Sequence, residues 1–170
     1  MTRLPLRLLP ALAVLAATLP AAAQDLGPCE AIIGTYLTSK GKPGEAVDPT
    51  SNRSLLTILP GGVVLMSDSA QAGGSDWQPF SDASGAWSCE PKDEGGAFSA
   101  VLLDFTFAPA GASEQRLAKL ATTGTYDDGA LTGETTLSFF PLHGDPTDDG
   151  AATDATSFSF TAKKVATPAP

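Results

Sequence analysis

The chain has one histidine in 170 residues, and only two cysteines, two tryptophans, two tyrosines and two methionines. Two cysteines and one distant histidine do not make a metal centre of the usual Cys/His kind. Positive charge is also scarce. Ten Lys and Arg stand against nineteen Asp and Glu, a net charge of −9. A surface so acidic repels nucleic acid and anionic membranes, so neither is expected as a partner. It favours solubility, cationic partners or divalent ions. Long apolar runs are missing too. Beyond the first two dozen residues nothing is apolar enough to cross a membrane as a helix, so no insertion is expected after leader removal.

The first residues read as that leader. Arg3 and Arg7 supply a positive start, residues 8–19 are apolar, and Ala21-Ala22-Ala23 ends in small residues. This is the pattern of a signal peptide over 1–23, cleaved before Gln24. The apolar run is too short for a membrane anchor, and Pro28 directly before Cys29 is unlike a lipidation site. Export to a bacterial periplasm or the medium is expected. Loss of Arg3 and Arg7 takes the net charge from −9 to −11. Residues 24–166 then suit one domain, with 167–170 a frayed tail. In an oxidising compartment Cys29 and Cys89 pair most simply with each other.

What is present is strand after strand. Residues 53–69 hold two short apolar runs around Pro60-Gly61-Gly62, the signature of a β-hairpin. A Gly-rich loop around Trp77 and Phe80 follows, then a strand carrying Trp87 and Cys89. Further strands are predicted at 32–40, 97–107, 114–126, 130–140 and 153–165, with Asp127-Asp128-Gly129 a strong hairpin turn. Residues 114–120 have helical propensity, and the Thr-rich continuation decides for strand. In the fifth strand Val101, Leu103, Phe105 and Phe107 share one face; Leu102, Asp104 and Thr106 share the other. The first set is expected inside, with Leu131, Leu137, Phe139, Phe158 and Phe160. The sum is an all-β, antiparallel, up-and-down meander barrel of about eight strands; a barrel is preferred to a sandwich because closure removes exposed edges.

Three strands repeat a small pattern: Gly34-Thr35-Tyr36, Gly85-Ala86-Trp87 and Gly124-Thr125-Tyr126. Each glycine shares a face with the aromatic two residues on, where the ring can lie across bare backbone. At these residues the chain resembles the calycins, the lipocalin-like barrels. An early Gly-x-aromatic strand, an eight-strand meander and one disulfide carry the resemblance. The lipocalin pattern has Trp where this chain has Tyr36, and an arginine late in the chain that closes over it; Lys163 and Lys164 are the nearest counterparts. A looser resemblance is to a family of bacterial secreted proteins of similar barrel type, distantly like the allene oxide cyclase barrel.

No catalytic motif stands out. His143 sits among turn residues, and a triad with Ser67 or Ser69 and Asp68 lacks a nucleophile elbow. Asp145, Thr147, Asp149 and Gly150 match the first half of a calcium loop, but Thr156 falls where a bidentate Glu is required. No metal or other cofactor is expected. Asp68, Asp82 and Asp104 could supply acid–base chemistry from a lumen; capping roles for the first two and a solvent-facing Asp104 are the preferred reading.

An eight-stranded barrel has room for a packed interior or one modest ligand. The expectation is a binding protein for a small apolar or amphipathic molecule, rather than an enzyme. Tyr36, Trp77, Phe80, Trp87 and Phe105 are the candidate contacts, in the barrel or at its mouth near Trp77 and Phe80. Two alternatives are kept. Some calycin-like barrels inhibit proteases by inserting an N-terminal segment, here residues 24–28, and would have a secreted protein as partner. The second alternative is that this chain uses its lumen as an isomerase or cyclase.

Overall fold

The turns that the sequence marks most strongly set the topology. Gly61 and Gly62 both adopt φ +80°, and Asp128-Gly129 turns with φ of 37° and 78°. These left-handed angles match a two-strand hairpin and suit glycine. A computed structural model describes residues 27–92, 95–108 and 114–166. The expected leader, residues 24–26 and the tail at 167–170 lie outside the described residues.

Eight strands follow in order: β1 Gly34–Gly41, β2 Ser54–Leu59, β3 Val63–Asp68, β4 Ala83–Pro91, β5 Gly96–Thr106, β6 Arg116–Asp127, β7 Ala130–Pro141 and β8 Asp154–Lys164. Each pairs antiparallel with the next, and β8 returns to β1 through pairs such as Tyr36 with Lys164. The result is a closed meander barrel with no free sheet edge. Helical propensity at the start of β6 is overridden because Arg116 to Leu120 are paired on both sides, by β5 and β7.

Two regions lie outside the predicted pattern. A 3-10 helix, Gly27–Ile32, precedes β1, and a second, Asp149–Ala151, lies between β7 and β8. Cys29 on the first helix is bonded to Cys89 on β4. By chain-entropy reasoning a bridge across this separation contributes about 4 kcal/mol.

The core fills one half of the barrel. Ile32, Tyr36, Ile58, Val64, Phe98 and Leu131 are almost wholly buried there, with Trp87 and Tyr126 beside them. Each aromatic with a polar tip is anchored or shielded. The Tyr36 hydroxyl donates to Ile32 O at 2.6 Å, and the Trp87 indole donates to Leu59 O at 2.9 Å. Burial, then the nearby Tyr126, pushes the Tyr36 hydroxyl pKa up. All three Gly-x-aromatic rings lie in this half. The neighbouring strand also explains two of the glycines. A Cβ at Gly85 would run into the Val101 carbonyl, and one at Gly124 into the Thr132 carbonyl. Close approach of the neighbouring strand requires both. At Gly34 the space is taken by Lys164, whose Nζ stands 5.9 Å from the Tyr36 ring centre and donates to Ala31 O.

The predicted face of β5 is reversed. Val101, Phe105 and Phe107 are outside and 43–50% exposed, and Leu103 points the same way. The inward face is Gly96, Phe98, Ala100, Leu102, Asp104 and Thr106, all buried. The alternation was legible; its sign was not. Leu131, Leu137 and Phe139 of β7 and Phe158 and Phe160 of β8 do share the inward phase with the core and cavity.

Candidate ligand cavity

Along each strand, inward residues pass from the packed half to the opposite mouth. On β1 the series is Tyr36, Thr38, Lys40; on β3 it is Val64, Met66, Asp68; on β5 it is Leu102, Asp104, Thr106. The strand period therefore places Lys40, Asp68 and Asp104 together inside the barrel near its open end. They lie on a cavity of about 360 Å³. Its apolar wall is Met66, Leu120, Leu137 and Phe158, with Phe139 nearer the mouth. Deeper, between this cavity and the packed half, a void of about 30 Å³ is lined mainly by apolar side chains and by Thr38, Thr122 and Thr135.

The mouth is shaped by the β3–β4 connection. The Trp77 indole donates to Ala70 O at 3.0 Å, and Gly74 N donates to Trp77 O at 3.0 Å. The ring lies so near Gly74 that a Cβ there would collide with it. Phe80 bridges to Thr106 at the end of β5, and Phe107 N donates to Pro79 O. Trp77 remains 44% exposed, with one side toward solvent and the other toward the cavity. Across the mouth, the Arg116 guanidinium stacks 4.3 Å from the centre of the Phe139 ring.

Two carboxyl groups in this cavity have opposite electrostatics. Asp68 is ion-paired with Lys40, accepts from Ser54 Oγ at 2.6 Å and from Ala70 N at 2.8 Å. Burial pushes its pKa up, but the Lys40 and Ser54 hydrogen bonds, the Lys40 charge and the Ala70 N–H outweigh it. Asp68 is held below the ordinary carboxylate value. Asp104 is 5% exposed, and its Oδ1 has no hydrogen-bond partner. Burial, then the charge of Asp68, pushes its pKa up to about 7, against a smaller opposing pull from Lys40. The expectation that Asp104 faces solvent is overturned, and so is a purely capping role for Asp68. A carboxyl of this kind can accept a hydrogen bond, pair with a cation, or hold and release a proton near neutral pH.

The sequence-predicted contacts separate into three places. Trp77 and Phe80 line the cavity. Tyr36 and Trp87 are packed in the opposite half, and the cavity does not reach them. Phe105 is on the outer surface, 50% exposed, and is withdrawn as a lumen contact. Lys40, Met66, Arg116 and Leu120 were missed. Phase was the available signal: Lys40 follows Tyr36 by four residues on one strand, and Arg116 precedes Leu120 and Tyr126 by even steps.

The acidic 145–154 loop is occupied with its own structure. Asp145 accepts from Thr147 N and Oγ1 at 2.8 and 2.7 Å, which holds its carboxyl below the usual range. Asp148 caps the second 3-10 helix through Gly150 N. Asp149 pairs with Lys119 at 2.7 Å. His143, just before this loop, is exposed. Among the described residues no group of three or more His, Cys, Asp or Glu side chains is arranged to hold a metal ion, and no helix is long and apolar enough to cross a membrane. No protein family, curated protein or solved structure matches the chain.

Proposed function

We propose that this is an exported, calycin-like barrel that binds one small amphipathic molecule in the open half of its lumen. The observation that carries the reading is a cavity of about 360 Å³ beside the exposed Trp77, apolar on its walls and polar around Asp104. Ligand pockets of about this size are typically apolar with a few placed polar groups. The leader-like first 23 residues and the Cys29–Cys89 bridge support export to an oxidising compartment. Lys164 over Tyr36 supports the calycin likeness, since it gives the early aromatic a late cation.

The two tryptophans make the reading testable. Trp77 is at the mouth and Trp87 in the packed half. Titration with N-phenyl-1-naphthylamine, a neutral lipophilic probe, is expected to shift Trp77 emission saturably. The Trp77→Phe variant, which keeps Trp87, is expected to bind the probe while its own emission stays unchanged. Absence of saturable probe binding to the disulfide-bonded protein would overturn the proposal.

A further inference from the structure

We propose that the ligand of this cavity carries a cationic nitrogen, a protonated amine on an apolar body, and that its N–H groups meet the carboxylate of Asp104. The inference rests on the cavity being a ligand site and adds the chemical class of the ligand.

Three observations converge on it. The first is the unmet acceptor. Asp104 lines the cavity, and its Oδ1 is buried with no hydrogen-bond partner. A buried polar atom left alone is costly, so a donor from a ligand gains more here than on a satisfied surface. The second is the commitment of the nearby cations. Lys40 is engaged with Asp68 and also lies 5.3 Å from the Phe158 ring centre. Arg116 lies against Phe139 at the mouth, and neither cation forms an ion pair with Asp104. The third is the charge of the lining. Asp68, Asp76, Asp104 and Asp154 stand against Lys40 and Arg116, so an entering cation is attracted and an entering carboxylate repelled. The apolar wall of Met66, Leu120 and Leu137 then receives the rest of the molecule.

A protonated amine next to Asp104 favours its ionised form, so amine binding and Asp104 ionisation reinforce each other. The charged groups that line the cavity with Asp104 are Lys40 from β1, Asp68 from β3, Arg116 from β6, Asp154 from β8 and Asp76 from the β3–β4 connection; Asp68 and Lys40 are the ones whose charge acts on it. Burial, then the charge of Asp68, pushes the Asp104 pKa up to about 7, so its proton leaves near neutrality. Amine preference is therefore expected at pH 8 and lost at pH 5.

The experiment is competition against bound N-phenyl-1-naphthylamine by octylamine, 1-octanol and octanoate, which share a chain length and differ in head group. Octylamine is expected to displace the probe at a concentration at least tenfold below 1-octanol, with octanoate weakest. In Asp104→Asn, which keeps side-chain size, octylamine and 1-octanol are expected to become equivalent, each scaled to that variant's own affinity for the probe. Equal competition by octylamine and 1-octanol on the native protein would overturn the inference while leaving the cavity a ligand site. Tighter binding of octanoate would also overturn it and move the head group to Arg116. Failure of the neutral probe to bind at all would instead remove the ligand reading itself.

Discussion

At one end of the barrel Tyr36, Ile58, Val64, Trp87, Phe98 and Leu131 fill the space between the strands; at the other, β1, β3 and β5 carry Lys40, Asp68 and Asp104 around an open cavity. Connections differ in the same sense. The packed end is joined by tight turns at Pro60–Gly62 and Asp128–Gly129, while residues 42–53, 69–82 and 142–153 form long connections at the open end. The packed end also has the Cys29–Cys89 bridge and the Lys164 side chain over Tyr36. Stability is concentrated where side chains are large and turns short. At the open end small inward residues, Ala118 and Thr106, leave volume, and Asp104 is kept at a cost in stability. A fold that tolerates an unsatisfied acid at one end can do so because the other end holds it together.

The largest test of that division is removal of the bridge. Cys29→Ala combined with Cys89→Ala is expected to lower unfolding free energy by about 4 kcal/mol. Urea midpoints measure it, and a loss below about 1 kcal/mol would mean that the packed end does not depend on the bridge. Next is Lys40→Met, which leaves Asp68 buried without its cation. Breaking a buried pair this way costs about 3 kcal/mol, toward the low end because Ser54 and Ala70 still donate to Asp68. A neutral outcome in the same assay would show that Lys40 is dispensable to the open end.

The smallest effect has the opposite sign. Asp104→Asn is expected to stabilise the protein at pH 8 by on the order of 2 kcal/mol; the full shift from 3.8 to about 7 would give roughly twice that, and the amide is itself left partly unpaired. The pH window follows from the raised pKa. Between about 4 and 7 the folded protein keeps a proton on Asp104 that the unfolded chain has lost, so native stability falls as pH rises through that range. The advantage of the Asn variant should therefore vanish toward pH 4. Asp68 acts the other way: its depressed pKa gives stability present above its ordinary value of 3.8 and lost as pH falls below it. Thermal melts of both proteins from pH 4 to pH 8 would expose the difference, and parallel curves would refute it.

Strand positions were readable because turn residues punctuate the chain and because nearly every strand keeps a period of two. The direction of β5 was not readable from that period. Both of its faces are apolar, with Val101, Leu103 and Phe105 on one and Phe98, Ala100 and Leu102 on the other. Asp104 was read as the marker of the solvent side, the usual meaning of a carboxylate on a strand. Here it marks the cavity, so the feature taken to point outward lines the interior. The Trp77–Phe80 loop was readable because two large apolar side chains in a Gly-rich connection need something to cover.

The seam between β1 and β8 sets how the chain reaches this structure in time. Tyr36 meets Lys164, and Gly41 meets Ser159, across nearly the whole described chain. Contacts so distant along the sequence must wait for the loop between them to close, and barrels dominated by non-local pairs fold in milliseconds to seconds rather than microseconds. Hairpins such as β2–β3 and β6–β7 can form early by local search. The cavity cannot, because Lys40 on β1 and Phe158 on β8 become neighbours only when the seam joins. The cavity is therefore complete only after the last strand is in place.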